Sequence, residues 1–291
     1  MNLKQLAGDA ALLLATRMMA RFFGTSVATP SFEVHLSATK IVLPALEGVG
    51  TYRFPVSGLA EAHTGEIRII HWKNANAPVL IWHQGGGERP YDLTISRMFP
   101  EDRACDINVI AVKSPFQDSL SDANRYFAHL HNYVAMMATT VCVTELLLTQ
   151  TALKQSQCKM VGGYSLGGIV SNRHRVEFNS ADLYFPFMAG TRHGDIFMKS
   201  VSIGKAGRND PDAVTNRLNF DLRWQAANPQ NVYPVLGNQD LLNRMSAQGP
   251  SYGETPYEVW NGGHLYGAAR PQLLRQKICR HMTDFLSNSS I

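Results

Sequence analysis

The 291-residue chain predicts an α/β fold: a doubly wound, mostly parallel sheet with helices on both faces. Three observations predict it. Short runs that are apolar at all or nearly all positions, Val79-Leu80-Ile81-Trp82 and Ile107–Val112 among them, alternate with longer stretches of helical composition. Strands without polar alternation are buried on both faces, the condition of a parallel sheet sandwiched by helices. The third observation is a junction. The strand candidate Cys158–Val161 passes through Gly162 into Gly163-Tyr164-Ser165-Leu166-Gly167 and then into a helical stretch that runs to Val176.

Taken in order, Met1–Phe23 places Leu3, Leu6, Ala10, Leu13, Leu14 and Met18 on one helical stripe. It reads as an amphipathic helix packed on the body, with a weaker signal-peptide reading that Gly8-Asp9 interrupts. Phe32–Leu36, Thr51–Val56 and Glu66–Lys73 read as early antiparallel strands. After the strand Val79–Trp82 come a Gly-rich turn and a helix near Tyr91–Phe99. The strand Ile107–Val112 precedes one long helix over about Asn124–Lys154. Beyond the 158–176 junction, Leu183–Met188, Val232–Leu236 and Tyr257–Trp260 complete the strands, and a helix near Ala268–Leu286 closes the chain. Residues 190–230 break the rhythm as a small cap insertion, with Asp210 as N-cap and Pro211 at the first helical position of a helix inside it. The expected organisation is an N-terminal helical extension over 1–30 and one domain over 31–291.

Composition excludes several functions. A net charge of +4 without a dense Lys/Arg block argues against nucleic acid as a partner. No apolar run reads as long enough to span a bilayer, and the expected location is cytoplasmic. Cys105, Cys142, Cys158 and Cys279 form no C-x-x-C and read as reduced core thiols. His129 and His131, expected on the long helix two residues apart, face opposite sides and fit no metal pair. His174 and His193 read as packing or surface residues, with a place in the pocket or cap as the alternative. No cofactor or metal is implied, and self-association is left open.

The chemistry concentrates at Ser165. A serine lifted from a strand-to-helix turn sits in strained backbone, and glycines at 163 and 167 remove the side chains that would collide there. The helix that follows aims its first amides, Leu166 N–H among them, at charge developing beside the serine.

With three more motifs, residues 50–290 resemble the α/β-hydrolase superfamily, in its serine-hydrolase (esterase/lipase-like) branch. His83-Gln84-Gly85-Gly86-Gly87 is similar to the family's His-Gly oxyanion loop, with Gln84 where glycine is usual. The resemblance implies Gly85 as the oxyanion donor beside Leu166, with Gly86 second and the Gln84 side chain a further candidate for the site. His83 then anchors the loop. Val235–Asp240 is a strand running into a turn, where the family places its acid: Asp240, with Asp195 as the rival. Asn261-Gly262-Gly263-His264 follows the last strand, and His264 becomes the base. The implied triad is Ser165, His264 and Asp240, and the implied activity is hydrolysis of a carboxylic ester, a small-molecule substrate, through an acyl-serine. Amide or peptide hydrolysis, acyl or thioester transfer, and an idle binding module on the same fold are the alternatives.

Overall fold

The computed structural model describes residues 22–102 and 106–288, together with Ala11. The helix expected over 1–23 lies outside these residues, save Ala11 and the pair Phe22-Phe23, as does Cys105. The strands are β1 (Lys40–Ile41), β2 (Gly50–Ser57), β3 (His63–His71), β4 (Val79–His83), β5 (Asn108–Val112), β6 (Lys159–Tyr164), β7 (Leu183–Phe187), β8 (Val235–Gly237) and β9 (Glu258–Trp260). The helices are α1 (Phe32–Ala38), α2 (Leu93–Met98), α3 (Leu120–Tyr126), α4 (Leu130–Thr149), α5 (Leu166–Glu177), α6 (His193–Lys199), α7 (Lys205–Asn209), α8 (Pro211–Leu218), α9 (Asp221–Ala227), α10 (Met245–Gln248) and α11 (Pro271–Asn288).

All nine strands form one sheet in the order β1-β2-β3-β5-β4-β6-β7-β8-β9. β1 to β3 pair antiparallel, and β3 meets β5 antiparallel. From β5 to β9 every pairing is parallel. The all-apolar strands explain this core. Val79 and Ile81 of β4 belong to the apolar layer under α4 and α5, whereas Leu80 and Trp82 belong to the opposite layer with α2 and α11. Each strand thus feeds two cores at once, and full burial of each such side chain contributes roughly 1.5–3 kcal/mol.

Three expectations change. Phe32–Leu36 is helical, within α1, not a strand. Its five-residue alternation also fits a helix that buries Phe32 and His35, and the Ser31 hydroxyl accepts the Val34 N–H. The long helix is two helices. The 23–26 segment takes the backbone bonds at the break: Phe23 N–H donates to Phe127 O at 2.8 Å, and Leu130 N–H donates to Ser26 O at 2.9 Å. His129 therefore caps α4 and only His131 lies within it. Finally, α4 is long and apolar enough to cross a membrane by length and composition, contrary to the sequence reading, but most of it is buried in this fold.

The segment 190–230 carries α6 to α9. The Asp210 carboxylate accepts the Ala213 N–H at 3.0 Å, with Pro211 as the first residue of α8, as the capping signals predict. At its end, α9 is held to the body by charge. Buried Arg173 of α5 pairs with Glu177 at 2.9 Å and with Glu33 of α1 at 3.1 Å, while Arg223 of α9 pairs with Glu177 at 2.9 Å and also with Glu33.

Candidate active site

Four strand ends bring the candidate residues together. β4 ends at the Gly-rich loop, β6 at Ser165, β8 just before Asp240 and β9 just before His264. All are carboxyl ends of parallel strands, where open α/β sheets gather their ligands. Ser165 has φ 55° and ψ −114°, far from the ordinary regions for a side-chain-bearing residue. Its N–H donates to Phe187 O at 2.8 Å, which fixes the elbow to the next strand. The flanking glycines are required by space. A Cβ at Gly163 would lie 2.3 Å from the Gly167 carbonyl carbon, and one at Gly167 would lie 2.1 Å from the His83 oxygen.

Ser165 Oγ is 2.8 Å from His264 Nε2, and His264 Nδ1 is 2.7 Å from Asp240 Oδ2. Asp240 and His264 are buried, whereas Ser165 is half-buried. The other carboxylate oxygen, Oδ1, accepts the N–H groups of Leu242 and Asn243, both at 2.8 Å. Two backbone bonds of 3.1 Å tie the acid turn to the histidine loop: Asn238 N–H to Trp260 O and Gln239 N–H to Gly262 O. Asp195 is elsewhere. It binds Lys199 Nζ at 2.8 Å and accepts from Asn219 Nδ2 at 3.1 Å, so of the two carboxylates it is Asp240 that meets His264.

The Gly-rich loop departs from expectation at two positions. Gln84 does not reach into the site: its Oε1 accepts the Ser114 N–H at 3.0 Å, and the side chain is buried. Gly85 N–H is already engaged, donating to Glu88 Oε2 at 2.8 Å. Gly87 N–H donates to Gln117 Oε1 at 2.8 Å, and Glu88 N–H donates to Gly85 O at 3.1 Å. Gly86 is what remains. Its N–H has no partner among the described residues, its backbone is exposed, and a Cβ built on it would stand 3.7 Å from Leu166 Cβ. Leu166 N–H opens α5 and has no acceptor within the helix. Gly86, not Gly85, is therefore the loop amide free to face charge at Ser165.

His83 lies wholly inside, its Nε2 3.0 Å from Thr144 Oγ1. Because that hydroxyl also donates to Thr140 O at 2.8 Å, it accepts from His83. Burial, with His174 nearby, lowers His83 to a pKa of about 3, so it is a neutral anchor at physiological pH. His174 is likewise buried, with Nδ1 3.1 Å from Tyr184 Oη. His193 does line the site cavity, buried and 2.9 Å from Tyr133 Oη; burial first, then Arg173, lowers its pKa to about 3. Cys142, Cys158 and Cys279 are free thiols, with burial pushing Cys158 up to about 12.

Three residues of the site escaped sequence reasoning. Tyr164 Oη donates to His264 O at 2.5 Å and accepts Gly267 N–H at 3.1 Å, so the elbow itself carries the histidine loop. Asn243 Nδ2 donates to Met188 O beneath the acid turn. Glu88 braces the Gly-rich loop. An acid placed just before a helix start was the one available signal for it.

Ser165 and His264 open into a cavity of about 470 Å³. Its wall is mostly apolar and includes Phe22, Phe127, Tyr133, Ile196 and Phe197, with Gly86, Arg89, Arg97 and Gln117 on the loop side. α6 supplies Ile196 and Phe197, which brings the 190–230 segment into the cavity wall. A second concavity of about 610 Å³, between β9 and α11, contains none of the candidate residues. Among the described residues, no cluster of three or more His, Cys, Asp or Glu side chains is gathered as for a metal ion.

An open, predominantly parallel sheet with a serine on a strained strand-to-helix turn, followed along the chain by an acid and a histidine at later strand ends, defines a class of architecture. This is the α/β-hydrolase fold, and the chain adopts it over the described residues. Similar solved structures include acetyl xylan esterase from Paenibacillus sp. R4, 12% identical with a TM-score of 0.57, covering 96% of this chain and 99% of that one. Est1E from Butyrivibrio proteoclasticus is 9% identical with a TM-score of 0.54, covering 85% and 99%. Pyrococcus horikoshii acylaminoacyl peptidase is 13% identical with a TM-score of 0.54, covering 82% of this chain and 42% of that one. The chain thus spans about two fifths of that peptidase's length. At these identities the likeness is one of fold. No protein-family model matches the chain, and no curated protein matches it in sequence.

Proposed function

We propose that the chain is a serine hydrolase that cleaves a carboxylic ester through an acyl-serine intermediate. The observation that carries this reading is the continuous hydrogen-bonded line from Ser165 through His264 to Asp240, at the edge of a largely apolar cavity. A serine hydroxyl is a weak nucleophile without an adjacent base. His264 Nε2 takes the Ser165 proton as Oγ attacks the ester carbonyl carbon, and Asp240 stabilises the resulting imidazolium. The carbonyl oxygen gains negative charge, met by the N–H groups of Leu166 and Gly86, each such donor worth about 3 kcal/mol. His264 then delivers its proton to the leaving alkoxide as the C–O bond breaks. Water, deprotonated by the same histidine, attacks the acyl-Ser165 carbonyl, and the acid leaves as the bond to Ser165 Oγ breaks and His264 returns the proton to Oγ.

The apolar wall supports a hydrophobic group on the acyl or alcohol side of the ester, and one of the structural neighbours is named as an acetyl xylan esterase. Labelling with a fluorophosphonate and turnover of p-nitrophenyl esters of increasing chain length test the reading. Wild type should label and turn over, and Ser165→Ala should do neither. Equal labelling of both proteins would remove Ser165 from the reaction. Labelling without turnover of any ester would move the reading to amide or peptide substrates.

A further inference from the structure

The loop that carries Gly86 is braced by a single carboxylate. Glu88 is half-buried in the cavity wall and bridges two elements: Oε2 accepts Gly85 N–H at 2.8 Å, and Oε1 accepts Thr94 N–H of α2 at 2.6 Å. The Glu88 N–H closes the same turn by donating to Gly85 O at 3.1 Å. Burial raises the Glu88 carboxyl above the usual carboxylate range while the Gly85 and Thr94 N–H groups hold it down, and in its ionised form both bonds are charge-assisted and so stronger than neutral ones. The turn lies close against both the carboxylate and the elbow: a Cβ at Gly85 would be in ordinary contact with them, 3.4 Å from Glu88 Oε2 and 3.6 Å from Tyr164 O.

We propose that Glu88 is a positioning residue for oxyanion stabilisation. By holding Gly85 N–H away from the serine and fixing the turn against α2, it sets the direction of Gly86 N–H beside Leu166 N–H. The inference rests on the serine-hydrolase reading above. A donor stabilises a transition state to the extent that it is already aimed where charge will appear. Gly86 has neither a side chain nor, among the described residues, a hydrogen bond of its own to hold it, so its aim is inherited from the residues on either side. Gly87 is held by Gln117 and Gly85 by Glu88. Glu88 matters more because its two oxygens bind two separate elements, which neither an amide nor a shorter acid can reproduce. A glutamine has one acceptor oxygen and turns an NH₂ towards the other N–H, and an aspartate is one methylene short of bridging both.

The substitutions Glu88→Gln and Glu88→Asp test this in the full chain. Active sites are counted by fluorophosphonate titration, kcat and KM are measured per titrated site on a p-nitrophenyl ester, and the Gly85 amide proton resonance is followed by NMR. In both variants kcat per site should fall about tenfold or more with KM changed by less than about threefold, the pattern of an interaction made in the transition state. In Glu88→Gln the Gly85 amide resonance should move upfield as its carboxylate acceptor is lost. A purely structural role would lower the number of titratable sites or the unfolding temperature, with kcat per site intact. That result, full kcat in Glu88→Asp, or an unmoved Gly85 resonance would each overturn the proposal. A wild type that neither labels at Ser165 nor turns over would instead bring down the underlying reading, and the proposal with it. A labelled wild type with indifferent Glu88 variants brings down the proposal alone.

Discussion

Replacing Gly167 by alanine adds one methyl group at the tightest point of the elbow. Built on the present backbone, that carbon lies 2.1 Å from His83 O, 2.6 Å from His83 C and 2.8 Å from Gln84 O. Ordinary van der Waals contact begins at 3.4 Å, so the shortest contact falls about 1.3 Å short of it. All three opposing atoms are backbone, and no side chain can swing aside. The separation must come from moving α5 away from β4 or from displacing His83-Gln84, and the second route carries Gly85-Gly86 with it. Overpacking of this kind costs about 1–3 kcal/mol, and a displacement of about 1 Å in a catalytic group can cost 10²-fold in rate. The assay is the esterase rate per fluorophosphonate-titrated site, alongside the thermal unfolding temperature. The expected result is a rate per site lower by about 10²-fold and a protein that unfolds earlier but is folded at assay temperature. Gly58→Ala is the control, because its Cβ would meet neighbours only at 3.6–3.7 Å and should change neither quantity. A Gly167→Ala protein with wild-type rate per site and wild-type unfolding would refute the argument that packing at the elbow positions the Gly-rich loop.

Asp240→Asn should lower kcat by about 10⁴-fold with the fold retained. Asparagine can keep the Leu242 and Asn243 bonds through its oxygen but then turns an NH₂ towards His264 Nδ1–H. Asp195→Asn should leave turnover within a few-fold of wild type, and a large loss there would reopen the assignment. Stability should fall below about pH 6.5. His193 has a folded-state pKa of about 3, under its unfolded value, so the unfolded chain takes up the proton first as pH falls. The loss begins near pH 6.5 and levels off near pH 3. One such histidine contributes a slope of about 1.4 kcal/mol per pH unit. Urea unfolding at pH 6.5 and pH 5 should therefore show His193→Gln losing about 2 kcal/mol less than wild type over that interval. Equal losses would mean that His193 titrates normally in the fold.

Much of this arrangement was legible because it is local. The elbow and the Gly-rich loop are short strings whose glycines have no other reason to stand at a strand end, and Asp240 and His264 each follow a readable strand. What could not be read depends on groups far apart in sequence. Gln84 seemed free to enter the site until β5 brought Ser114 N–H to it, 30 residues on. Gly85 was the natural donor until Glu88 folded back onto it. Tyr164 carries no signal of its own within the pentapeptide, yet its hydroxyl holds a loop 100 residues away. The misread helix α1 has the same cause. Phe-Glu-Val-His-Leu satisfies both periods over five residues, and packing against α4 decides between them.

The backbone at Ser165 also bears on what the fold has been asked to retain. A residue held at φ 55°, ψ −114° costs about 1–3 kcal/mol. Glycine would relieve most of that strain and return only about 0.5–1 kcal/mol of it as lost chain entropy. By this reckoning the chain would be as stable, or more so, with glycine at 165. It keeps a hydroxyl there instead, at a position where folding alone would favour glycine. At this Cβ stability and the proposed chemistry pull in opposite directions, the trade expected wherever a strained residue is kept for a reaction.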